Sequence, residues 1–197
     1  MRAVCYVILI SFMTFNAFAQ QIKETPELPI DADTKKITFT EVVTLSEDVP
    51  KDKLYSKARE WFATTYKSSN AVLQMQDKED GKLVGKALMQ VYHRAMGKNY
   101  DSGYINYTIS ISVKDNRYKY EITDFHHTGQ LVSGGQKIQD YGVCEEMINT
   151  THKTMGASHQ KLYNYYLLQL KENIEALITS LKSEMANASA SKDKEDW

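Results

Sequence analysis

The sequence predicts an α+β fold of two layers. One antiparallel sheet of five strands carries two helices on one face, in the order β-α-β-β-β-β-α. Three observations lead there. Residues 105–113 read Ile-Asn-Tyr-Thr-Ile-Ser-Ile-Ser-Val, the alternation of a strand with one dry and one wet face. Long apolar stripes at helical spacing occur in two segments, one early and one near the end of the chain. The sequences Asp77–Gly81 and Asp115–Asn116 are turn-like and place successive strands side by side. A sheet with one polar face must bury the other, and two amphipathic helices suffice to cover it.

The chain has 197 residues, enough for one ordinary domain. It opens with Arg2, a mostly apolar run from Val4 to Phe15 and a small-x-small triplet at Ala17–Ala19. That run is too short to span a bilayer, and the pattern is that of a secretory signal peptide. The expected organisation is a signal peptide over residues 1–19, an extended leader over 20–35, a single domain over 36–186 and a disordered tail over 187–197. Cys5 lies at the start of the apolar run and not at its end, so it is not placed to carry a lipid anchor. The 24 Lys and Arg residues nearly balance 25 Asp and Glu, and loss of Arg2 leaves the mature chain two charges negative. Such a surface offers no electrostatic footprint for nucleic acid. No later run reaches membrane-spanning length. The only cysteine left after residue 19 is Cys144, so no internal disulfide is expected.

The first strand is read from Lys36 to Leu45, with Ile37, Phe39, Val43 and Leu45 inward. Glu41 is a misfit on the inward side, expected at a sheet edge with its carboxylate in water. A helix follows from Pro50, with Leu54, Ala58, Trp61, Phe62 and Thr65 or Tyr66 along one stripe and acidic residues at its positive end. Ala71–Gln76 reads as the second strand and Asp77–Gly81 as a hairpin turn. The turn is not a calcium loop, because its fifth position is Gly81 and its twelfth is Leu88. Lys82–Arg94 reads as the third strand, with Gly85 and Ala87 on one face where a helix can approach; which face is inward stays open. Met96–Gly103 is expected to be a longer connection. The fourth strand follows, with Ile105, Tyr107, Ile109, Ile111 and Val113 inward, and then the fifth, with Tyr118, Tyr120 and Ile122 inward. Gly129–Gly156 is irregular, with a short helix around Val143, Met147, Ile148 and Thr151. Ser158 is expected to cap a final helix running to about Ala186. At roughly 40 Å it exceeds a strand of about 17–20 Å, so its last turns are expected to project and meet a partner.

The segments LPIDADTKKITFTEVV, KDKLYSKAREWFATTYKSSNAVLQMQDKEDGKLVGKA and YKYEITDF resemble the domain of unknown function 4468, a family of secreted proteins mainly from Bacteroidetes. The resemblance covers roughly Leu28 to Phe125. It implies a TATA-binding-protein-like (TBP-like) arrangement and an exported protein of a Gram-negative periplasm or envelope. It implies no activity and supplies no catalytic residues, and a fold name does not import DNA binding.

No phosphate loop, nucleophile elbow or zinc-ligand spacing is present. No catalytic residues, metal ligands or cofactor are expected. The irregular segment is where binding residues would sit, which makes His126, His127, Tyr141 and Cys144 the ligand-binding candidates. His126 and His127 point to opposite faces if they lie in a strand. A site combining His126, Asp124 and Cys144 is a further arrangement to test. The expected function is a non-catalytic exported module that binds an envelope protein or small ligand. The alternatives are a small hydrolase or isomerase with a histidine-lined pocket between sheet and final helix, and a structural protein that dimerises through that helix.

Overall fold

The computed structural model describes residues 25–129, 139–148 and 157–190. The expected signal peptide, Gly134–Gly135, Thr151 and the last seven residues lie outside them. The elements are β1 (Phe39–Thr44), α1 (Lys51–Thr65), a single turn α2 (Ser69–Val72), β2 (Leu73–Asp77), β3 (Lys82–Ala95), β4 (Lys98–Lys114), β5 (Arg117–Thr128), β6 (Gly142–Val143), α3 (Cys144–Ile148) and α4 (Ala157–Ala190). Every strand pairing is antiparallel and the sheet order is β1-β5-β4-β3-β2. The two-residue β6 pairs with β5 at His126 and His127, beyond the end of β1. The expected α+β architecture is therefore present, with β6 added to the five strands. The chain is packed earlier than a loose leader would be. Leu28 belongs to the core, and Ile30 forms a bridge with Ile37.

The inner face of the sheet is apolar where the alternation requires it. Ile105, Tyr107, Ile109, Ile111 and Val113 of β4 are buried, as are Tyr118, Tyr120 and Ile122 of β5. The face left open for β3 is settled: Leu83, Ala87, Met89 and Val91 face the core. A Cβ at Gly85 would lie 2.8 Å from Phe62 Cε1. Glycine there allows α1 to seat Phe62 directly on the sheet. Glu41 lies on the edge strand β1, half exposed as expected, and its carboxylate accepts hydrogen bonds from Tyr120 and Lys182.

Three expectations are corrected. Ala71 and Val72 belong to the helical turn α2, so β2 starts only at Leu73. Met96–Gly103 is not a connection. Met96 and Gly97, both with positive φ (51° and 74°), form a two-residue hairpin turn, and β4 begins at Lys98. Type I′ turns usually announce themselves as Asn-Gly, and a methionine in the first central position hides the signal. The final helix does not end at Ala186, nor do its last turns project. Leu181, Met185 and Ala188 are fully buried, because α1 lies alongside α4. Trp61 Nε1 donates to Ser180 Oγ at 3.2 Å, and Lys57 pairs with Glu184 at 3.3 Å. The extra length of α4 is spent on a second helix rather than on an overhang.

Candidate functional site

Three of the four candidate residues, His127, Tyr141 and Cys144, meet at one end of the inner layer. What brings them there is a bulge. Between Thr108↔Thr123 and Asn106↔His126 the register slips, and Asp124 takes a positive φ of 60°. The extra residue on β5 reverses the alternation. Inward positions run Tyr118, Tyr120, Ile122 and then Phe125 and His127. His126 is turned to the outer face, where Nδ1 lies 3.4 Å from Thr128 Oγ1. Asp124 is exposed and paired with Lys36. The combination of His126, Asp124 and Cys144 does not assemble, and His126 does not join the other candidates.

His127 is completely buried and both of its ring nitrogens are occupied. The Tyr141 backbone N–H points at Nδ1 from 3.4 Å, and Nε2 lies 2.8 Å from the Ser102 carbonyl. A carbonyl can only accept, so Nε2 carries the proton and Nδ1 is the acceptor, which defines a neutral imidazole. Burial holds its pKa below the ordinary histidine value, consistent with that tautomer. The ring stacks on Tyr166 (centroids 5.2 Å, 16° between planes) and tilts against Tyr141 at 5.1 Å. Tyr163 closes the cluster edge-on to Tyr141 at 5.2 Å.

Ser102 ties the cluster to β3. Its Oγ lies 2.8 Å from His93 Nδ1, and its carbonyl accepts the His127 Nε2 hydrogen bond. Gly103, at φ 93°, makes this geometry possible. A Cβ there would stand 2.3 Å from the Thr128 carbonyl. Cys144 starts α3 and is buried. Burial pushes its thiol pKa well up, so it stays protonated. Ser102, His93, Tyr163 and Tyr166 were not among the sequence candidates. The available signal was Ser102-Gly103, a glycine inside what is in fact a strand.

Chemically, this end of the molecule is a filled polar-aromatic hub. His127 has both ring nitrogens satisfied, and burial keeps the phenols of Tyr141, Tyr163 and Tyr166 and the Cys144 thiol protonated. Tyr141 and Tyr166 lie directly against His127, and most of the Gly129–Gly156 segment lies outside the described residues. Among the described residues no group of three His, Cys, Asp or Glu side chains is placed to hold a metal ion. No described helix is long and apolar enough to cross a membrane.

The outer face of the sheet differs in kind. Asn106, Thr108, Ser110 and Ser112 of β4 form its centre, flanked by Lys119, Glu121 and Thr123 of β5 and Val84, Lys86 and Leu88 of β3. A cleft of about 340 Å³ opens beside β1, lined by Val42, Ser112, Lys114, Arg117, Tyr118 and Lys119. A second, of about 470 Å³, lies between Thr25–Glu27 and α4 at Leu168, Lys171, Glu172 and Glu175.

A meandering antiparallel sheet with two long helices on one face, and a polar opposite face, defines a TBP-like α+β domain. Residues 39–128 match the family model described as a domain of unknown function (DUF4468) with TBP-like fold, so the resemblance read from the sequence holds over that segment. Two solved structures are similar. A TBP-like protein from Parabacteroides distasonis ATCC 8503 superposes with a TM-score of 0.55 at 14% identity, covering 79% of this chain and 97% of the other. A DUF4468 family protein from Bacteroides ovatus ATCC 8483 superposes with a TM-score of 0.54 at 13% identity, covering 78% and 90%. At such identities the likeness establishes the fold alone. A search of curated proteins found no match.

Proposed function

We propose that this protein is an exported, non-catalytic binding module of the bacterial cell envelope, and that its partner or ligand meets the outer face of the sheet. One observation carries the reading. His127 and Cys144 are consumed in the filled hub, while the outer face spreads hydroxyl, amide and charged side chains over five strands with no described element packed on it. The leader pattern of residues 1–19 and the Bacteroides and Parabacteroides sources of the similar structures support the envelope assignment.

The test is native mass spectrometry of the protein purified gently from its own envelope fraction. The expected result is a chain beginning at Gln20 with a reproducible non-covalent extra mass, lost when Ser110→Arg places a bulky charge in the middle of the outer face. An unprocessed cytoplasmic chain would overturn the export reading. A bare processed chain would overturn the binding reading. Turnover in an esterase, phosphatase and peptidase panel, abolished by His93→Ala, would overturn the non-catalytic reading.

A further inference from the structure

The cleft beside β1 has a composition that selects a ligand. Two adjacent rows of side chains cross the outer face there. Thr44, Arg117 and Lys114 form one row, and Val42, Lys119 and Ser112 form the next. Both rows end at the open edge strand β1, so the cleft is reached from the side as well as from above. Val42 is 57% exposed, an apolar side chain left in water at the mouth. Ser112 supplies a hydroxyl on the floor, and Lys114, Arg117 and Lys119 surround it.

The charges are not equivalent. Lys119 is paired with Glu121 at 3.0 Å. Among the described residues, Lys114 and Arg117 form no ion pair. Asp115, the acid between them, accepts the Lys51 backbone N–H at the start of α1 instead. The cleft therefore holds two uncommitted cations and one neutralised one. Glu121, on the same face, disfavours a dianion. The planar fork of Arg117 matches a carboxylate in two-point contact. A volume of about 340 Å³ lies at the small end of ligand-binding pockets, which run from about 300 Å³.

We infer that this cleft is a binding site for a small amphipathic carboxylate. The acid head sits on Arg117 and Lys114 with the Ser112 hydroxyl donating to it, and the apolar body lies over Val42 and the aliphatic stem of Lys119. This rests on the outer face being the binding surface and names the ligand class for one part of it. Neither half of the ligand suffices. An exposed ion pair contributes little on its own, and a single valine is a small apolar surface, so recognition requires both on one molecule.

The probe is octanoate, added to the purified protein and followed by amide chemical shifts in two-dimensional NMR, with acetate and octanol as the two half-ligands. Octanoate is expected to shift and saturate the signals of Val42, Ser112 and Lys119. Acetate and octanol should do so at least tenfold more weakly. Combined Lys114→Gln and Arg117→Gln should weaken octanoate at least tenfold while circular dichroism and Tm stay unchanged, and Val42→Asp should weaken it independently. Equal binding of acetate, shifts centred elsewhere, or full binding by the double variant would overturn the inference. Retention by the double variant of the native extra mass, together with no octanoate response in the cleft, would sink this inference and leave the outer-face reading standing. Loss of the native mass with Ser110→Arg while octanoate also fails would place the natural ligand elsewhere on the sheet.

Discussion

His127 shows how a residue that attracts functional attention is used for structure. Its two nitrogens are satisfied only in the neutral form. Protonation would put an N–H against the Tyr141 N–H and strand a charge among aromatic rings. The folded-state pKa lies below the ordinary value of 6.5, so between pH 6.5 and the lower folded value the unfolded chain binds the extra proton. Stability from this residue is complete above about 6.5 and is lost as pH falls through that window. Thermal melts of the wild type and His127→Gln should differ in slope below pH 6.5, the wild type falling more steeply. Parallel curves would mean that His127 does not titrate with unfolding. Gly103 carries a second residue-scale prediction. With φ at 93° and only 2.3 Å between an added Cβ and the Thr128 carbonyl, Gly103→Ala strains both backbone and packing. Chemical denaturation should register a loss of roughly 2–4 kcal/mol.

At the scale of elements, the decisive contact is α1 on the sheet and α4 on α1. Trp61 and Phe62 anchor the first, ring centroids 5.1 Å apart. Gly85→Ala would push a methyl into Phe62 and should cost about 1–3 kcal/mol, because overpacking forces the helix outward. The end of α4 is a structural wall rather than a free surface. Met185→Ala should therefore cost about 2–4 kcal/mol in equilibrium unfolding, as deletion of a fully buried side chain does. A change under about 0.5 kcal/mol would mean that the last turns do not pack on α1. Most of this was legible in the sequence. The stripe Leu54, Ala58, Trp61, Phe62 and the stripe Tyr163 to Met185 gave both helices, and strict alternation gave β4. The start of β4 was not legible, because Asn99, Asp101 and Ser102 are polar and the residues opposite Asn99 and Tyr100 are Arg94 and His93 rather than apolar side chains. Nor was β6, since a strand of two residues has no period to read.

For the whole molecule, topology ranks the strands by security. β4 is flanked on both sides along most of its length, and β2 and β6 are short and lie at edges. Amide hydrogen exchange should be slowest at Ile109 and Ile111 and much faster in β2 and β6, since edge segments open locally without global unfolding. Uniform protection would contradict the arrangement. The same topology separates the two faces. The inner layer is closed by α1 and α4, and no described element covers the outer layer, which is why a binding reading falls on its hydroxyls and lysines.

By itself the sequence determined the class of fold, the dry and wet faces of the central strands, the helix stripes and the family resemblance. These depend on period and local turn chemistry, and both are written along the chain. Tertiary structure alone decided three things. It turned His127 inward and His126 outward through one bulge at Asp124. It buried the far end of α4 against α1. It brought Val42 of the first strand beside Lys114 and Arg117 of the fourth and fifth. Each depends on which distant segments become neighbours. Register and packing fix that choice, and no local pattern of residues encodes it.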